Sequence, residues 1–109
     1  MFEINVEDIF SITGRGTVFV GRILSGKISV GDPVLCKTRS TEINTRVIGL
    51  EDPGTRKSVH SAEEGSTIGV VCKQIDHKSI ADAWVGEGEN ARVVGVTLTL
   101  GTKKKWWQL

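Results

Sequence analysis

The sequence predicts an all-β domain, and three observations carry that prediction. Apolar and polar residues alternate with a period of two in several segments. Glycine-rich turns separate those segments, and no long stretch has helical spacing. Thirteen glycines against two prolines suit many tight turns. Short strands joined this way pack as a barrel or a sandwich, and closing a barrel removes the sheet edges that invite aggregation.

The elements follow in order. Phe2, Ile4, Val6, Phe10 and Ile12 share one parity and predict a first strand with these side chains inward. Asp8 falls on the same inward parity, which places it near a barrel mouth or a turn, because a buried carboxylate needs hydrogen-bond partners. Thr17 to Leu24 predicts the second strand, with Gly21 marking a bulge or a close neighbour. Ile28 to Val30 is short, and Gly31-Asp32-Pro33 turns the chain. Val34 to Thr38 and Ile43 to Leu50 are further strands around a polar loop. Asp52-Pro53-Gly54-Thr55 is a strong turn signal. Lys57 to Ala62 extends briefly, and Thr67 to Ile75 reads as a buried strand. Asp76 to Trp84 has room for one helical turn with Ile80 and Trp84 on one face, Trp84 plugging the core. Arg92 to Leu100 closes the domain, with Val94, Val96, Leu98 and Leu100 alternating against Gly95, Thr97 and Thr99.

The stretch Ile9 to Gly26 organises the rest, with two apolar runs around Gly14-Arg15-Gly16. Its simplest reading is a glycine corner between two strands; its functional reading is an exposed Arg15 that meets an anion. The spacing excludes two nucleotide loops. A dinucleotide fingerprint starting at Gly14 needs glycine where Phe19 stands, and Gly26-Lys27 is followed by Ile28 rather than by serine or threonine.

Composition narrows the class. A chain of 109 residues with 25% charged and 39% apolar residues describes one globular domain. Apolar runs are too short to span a bilayer as helices, and MFEINVED lacks the pattern of a signal peptide, so the expected location is cytoplasmic. Cys36 and Cys72 read as buried thiols in neighbouring strands. His60 and His77 lack ligand spacing to either cysteine, so neither a metal nor a cofactor is expected. The net charge of +1 conceals a basic balance in Gly14 to Lys57 and an acidic one in Ser58 to Thr102. The expected organisation is one domain over 1–102 and a basic, aromatic tail over 103–109, where Lys103, Lys104, Lys105, Trp106 and Trp107 suit phosphate contact with base stacking or a membrane interface. A terminus folded back on the domain is the alternative.

The run VEDIFSITGRGTVFVGRILSGKISVGDPV resembles the opening of the second domain of translational GTPases, most closely the elongation factor Tu family. The similarity lies in Glu7-Asp8, Phe10, Ile12, Gly14 to Val18, Gly21-Arg22 and Gly26 to Asp32, then in Gly49-Leu50-Glu51 and Gly65 to Gly69. It implies a closed antiparallel, Greek-key-like β-barrel. By the same resemblance Glu7, Asp8 and Phe10 would lie near a bound aminoacyl group, and Ile12, Val18 and Val71 would line a pocket for the terminal adenosine. Glu51 would face its ribose, and Gly14 and Arg15 would approach ribosomal RNA. Thr67 stands where the family has an asparagine of the aminoacyl pocket, Val20 replaces a threonine, and Asp82-Ala83 replaces an Arg-Gly pair.

No Gly-x-x-x-x-Gly-Lys-Ser/Thr occurs, so the chain alone is not expected to bind a nucleotide. The first functional reading is a non-catalytic binding module whose partners are tRNA, ribosomal RNA or a ribosome-associated protein, with Arg15, Arg22 and the tail giving salt-sensitive contact. The alternative is a structural or protein-interaction barrel that has lost the RNA role. An enzyme is disfavoured: adjacent carboxylates such as Glu7 and Asp8 point to opposite faces of a strand, and no serine or cysteine has an identifiable base.

Overall fold

Six strands close into an antiparallel barrel in the computed structural model, which describes residues 2–101. The strands around the barrel are β1 (Glu3–Ile12), β2 (Gly16–Ser25), β8 (Thr67–Cys72), β5 (Glu42–Glu51), β4 (Pro33–Lys37) and β11 (Thr97–Leu100), and β11 pairs back onto β1. The chain leaves β2, builds the β4–β5 hairpin, and returns beside β2 only at β8, a Greek-key path. Around the barrel sit β3 (Lys27–Ser29) paired with β7 (Ser61–Glu63), and β9 (Trp84–Val85) paired with β10 (Arg92–Val93). The short strand β6 (Ser58–Val59) lies against the end of β5. The tail residues Lys103 to Trp107 fall outside the described residues.

The lumen is filled by alternate side chains. Ile4, Phe19, Ile23, Val70, Val96 and Leu98 are all buried in one core cluster. The β1–β2 pairing then departs from simple alternation. Its register shifts between Val6 and Asp8: Val6 faces Gly21, while Asp8 faces Val20. This bulge moves every later residue of β1 to the opposite face. Ile9 therefore enters the core, and Phe10 stands outside at 41% exposure. Ile12 follows Phe10 outward and is half-buried. The expected inward parity of Asp8, Phe10 and Ile12 is thus corrected. Asp8 is exposed, and its Oδ1 accepts the backbone N–H of Ile9 at 2.9 Å, which braces the bulge.

Three further expectations change. Arg92 to Leu100 is not one strand: it breaks between β10 and β11 at Gly95, whose φ is +73°. Asp76 to Trp84 forms a 3-10 helix (His77–Ala83), which buries Ile80 but has non-helical dihedrals there, and Trp84 is already extended. Trp84 is half-buried against the core and stacks on His77 with ring centroids 5.1 Å apart, so it covers the core rather than plugging it. Asp82 anchors the neighbouring loop: its Oδ2 accepts the hydroxyls of Ser40 at 2.8 Å and Thr38 at 3.0 Å. These bonds, that from Ser40 foremost, hold its carboxyl below the usual value.

Cys36 on β4 and Cys72 on β8 are free and buried, with β5 between them rather than in adjacent strands. Burial pushes the Cys36 thiol up to about 11, with the nearby Asp82 charge adding to it. Burial likewise pushes Cys72 to about 12. Since the folded state holds these protons more tightly than an unfolded chain does, stability is full below pH 9 and falls as pH rises toward the folded values. The expected result is slow alkylation of both thiols by iodoacetamide in buffer and full labelling in denaturant. Denaturant midpoints measured from pH 8 upward should fall. A constant midpoint up to pH 10.5 would contradict the burial of these groups.

Candidate functional site: the outer face of β1, β2, β8 and β5

The register of β1, β2, β8 and β5 sets two cross-strand rows side by side. Phe10 faces Val18, Val18 faces Val71, and Val71 faces Gly49. In the neighbouring row Asp8 faces Val20, Val20 faces Gly69, and Gly69 faces Glu51. Alternation places both rows on the outer surface, opposite the lumen-facing Phe19 and Val70. Val18 and Val71 are each only 2% exposed, yet they lie outside the core cluster. Val18 therefore is buried but does not belong to the interior cluster that holds Val96.

The glycines of these strands divide into two kinds. Gly16 has φ +133°, and a Cβ there would run into the carbonyl oxygen of Cys72. A Cβ at Gly21 would run into the carbonyl oxygen of Asn5. These two positions are required for strand packing. Gly49 and Gly69 are different: neither has a positive φ, and an added Cβ would find ordinary contact distances. At Gly49 it would stand 3.6 Å from Val71 Cβ; at Gly69, 3.5 Å from Val18 Cγ1 and from the Glu51 carbonyl oxygen. The fold accommodates a side chain at both positions, although glycine weakens a strand interior. Gly69 is itself buried and Gly49 half-buried, next to the buried Val18 and Val71.

The β1–β2 turn is held by the Arg15 N–H donating to the Ile12 carbonyl at 2.9 Å. From that turn the guanidinium forms an ion pair with the Glu51 carboxylate. Beyond this pair a hollow of ≈ 380 Å³ is lined by Arg15, Val30, Ile48, Gly49, Glu51 and His60. Val30 and Ile48 are 39% and 46% exposed, so the hollow has an apolar wall.

The residues singled out in the sequence therefore fall into groups. Asp8, Phe10, Val18, Val71, Glu51 and Arg15 come together. Ile12 and Gly14 stand at the corner beside them, Ile12 opposite Gly16, and Glu7 is exposed at the bulge. Arg22 and Thr67 face each other on the same outer face, two residues or about 7 Å along the strands from the Val20–Gly69 row. Both are exposed.

Sequence reasoning missed four features. Gly49 and Gly69 appeared in it only as parts of motifs, although glycine on the outward parity of a strand was the available signal. The hollow around Ile48 and Val30 comes from β5, β6, the turn after β3 and the β1–β2 turn and had no local signal. A serine also proves to have a base within reach: Ser11 Oγ lies 2.8 Å from His77 Nε2, and the Gln74 side-chain amide donates to Ser11 Oγ at 3.0 Å. Among the described residues no carboxylate orients that imidazole; its ring stacks on Trp84. The fourth feature is the largest hollow, ≈ 1280 Å³, bordered by Leu35, Ile43, Arg46, Lys73, Asp76 and Leu100, where Arg15 and Glu51 take no part. Among the described residues no group of histidine, cysteine and carboxylate side chains could hold a metal ion. No helix there is long and apolar enough to cross a membrane.

The fold defines a class: an all-β module built on a closed six-stranded antiparallel barrel. No family model matches the chain. The chain is 40% identical over 81 residues to the apicoplast elongation factor Tu of Plasmodium falciparum. That match covers 72% of the chain but only 19% of the relative's length. The chain is thus similar to a barrel-sized piece of a translation factor.

Proposed function

We propose that the chain is a non-catalytic binding module of the translation-factor type, whose outer face takes the terminal nucleoside of an RNA such as the acceptor end of tRNA. One observation carries this reading: from the β1–β2 turn Arg15 reaches the Glu51 carboxylate at the rim of a hollow of ≈ 380 Å³ that Ile48 and Gly49 also line. A base can lie against that apolar wall, and a carboxylate accepts ribose hydroxyls. Phe10, half outside the barrel beside Val18, offers an aromatic edge to the same ligand. The similarity to elongation factor Tu supports the same class of partner. Arg15, Arg22 and the lysine tail supply phosphate contacts, and ribosomal RNA presents the same chemistry.

The test is a titration of the full chain with fluorescently labelled tRNA at 25 and 150 mM salt. The expected result is an association that weakens steeply with salt and is reduced with Arg15→Ala. Absence of binding at low salt would overturn it. A second reading, a protein-interaction barrel, is favoured by the large hollow beside the exposed Leu100. It predicts a partner captured equally well after nuclease treatment and unaffected by Arg15→Ala.

A further inference from the structure

We infer that the first half of β5 pairs with the same strand of a second copy of the chain, in an antiparallel, two-fold edge contact centred on Asn44. β5 has strands on both sides over only part of its length. Glu42 to Arg46 pair with β4, and the pairing with β8 begins only at Val47. Among the described residues, no strand lies against the second side of Glu42 to Arg46. That side opens on the hollow of ≈ 1280 Å³, which Lys73, Gln74 and Asp76 also line. The backbone direction follows from the next residue. The Val47 N–H donates to the Asp32 carbonyl at 2.9 Å, and the Val47 carbonyl accepts the Gly31 N–H at 2.8 Å. Both groups of Val47 thus point toward the start of β4. Directions alternate along a strand, so the backbone groups of Glu42, Asn44 and Arg46 point away from β4, into the opening. An edge of this kind is satisfied by an added strand.

Charge selects which strand is added. Glu42 and Arg46 are exposed and stand symmetrically on either side of Asn44. When two copies run antiparallel with Asn44 facing Asn44, Glu42 of each copy faces Arg46 of the other, and two-fold symmetry makes this match twice. Opposite charges directly across a strand pair favour it, and like charges oppose it. Registers slid along the edge lose the match: they set Glu42 against Glu42, set Arg46 against Arg46, or leave both charges unpaired across the contact. Lys37 lies 3.8 Å from Glu42 across the β4–β5 pair, so the carboxylate would stand between two cations. Arg46 Nη1 donates to the Gly31 carbonyl at 2.8 Å, which anchors the guanidinium and leaves its other N–H groups for a carboxylate. The edge lies apart from the hollow at Arg15 and Glu51, so dimer formation and tRNA binding are read separately.

The experiment is sedimentation of the full chain across about 10 µM to 1 mM, with amide hydrogen exchange followed at Asn44 and Arg46. The expected result is a dimer that forms with rising concentration and weakens with salt, while both amides become more protected as it forms. Glu42→Lys and Arg46→Glu should each raise the dimer Kd roughly tenfold or more, because each reversal sets like charges opposite twice. An equal mixture of the two variants should dimerise again, since one copy then carries only positive and the other only negative charge at these positions. Both sites are exposed, and an unchanged urea midpoint for each variant separates loss of pairing from loss of folding. A chain that stays monomeric throughout would overturn the contact. So would a dimer that survives both reversals, or a mixture that fails to recover. Protection of Asn44 and Arg46 that is equal at every concentration would also overturn it, by seating the chain's own terminal residues at the edge in place of a second copy.

Discussion

Gly16→Ala is expected to destabilise the barrel by about 3 kcal/mol or more, whereas Gly69→Ala is expected to leave it folded with little change in stability. At Gly16 a methyl group would occupy the place of the Cys72 carbonyl oxygen, on a backbone with φ +133° that side chains rarely adopt. Relief requires β2 and β8 to separate, which breaks the pairing of Thr17 with Cys72. At Gly69 the methyl group meets only Val18 Cγ1 and Glu51 backbone oxygen at 3.5 Å, with unstrained φ. Removing a glycine from a strand interior there is neutral or stabilising by up to about 1 kcal/mol. Gly49→Ala should behave like Gly69→Ala, and Gly21→Ala like Gly16→Ala. Urea denaturation separates the two pairs. If all four variants lose stability alike, glycine is required for packing at all four positions.

Phe19→Ala is expected to cost about 3–5 kcal/mol, and Phe10→Ala less than about 1 kcal/mol. Phe19 is fully buried in the lumen, while Phe10 stands outside at 41% exposure beyond the bulge at Asp8. The truncation at Phe19 leaves a cavity among close-packed neighbours, and a sealed barrel has little freedom to collapse into it. Phe10→Ala should instead reveal itself in ligand affinity, with chemical shifts at Val18 moving and the denaturation midpoint barely changing. A large loss of stability for Phe10→Ala would mean that β1 keeps a single parity and that the bulge is misplaced.

The departures from the sequence reading have specific causes. A period of two assigns faces correctly only while the ladder is unbroken. In β1 one extra residue at the bulge reversed Phe10 and Ile12, and Asp8 became the residue that braces it. In the last segment Gly95 looked like one polar position of an alternating strand. Its Cβ position lies against the Arg39 side chain, and the chain turns there instead. Cys36 and Cys72 were rightly placed in the interior, but their separation by β5 depends on strand order, which no local pattern encodes.

By itself the sequence determined the all-β class and most of the strands, because alternation and turn chemistry are local and repeat along the chain. It also contained the residues of the candidate site, and the resemblance to translation factors drew Phe10, Val18, Val71 and Glu51 together before any coordinates. Tertiary structure alone decided three things: that Gly49 faces Val71 and Gly69 faces Glu51, that Arg15 pairs with Glu51, and that Arg22 faces Thr67. The physical reason is common to all three. Each depends on cross-strand register between segments far apart in the chain, and register is set by barrel closure and by the shifts in β1–β2 and β5–β8 rather than by neighbouring residues.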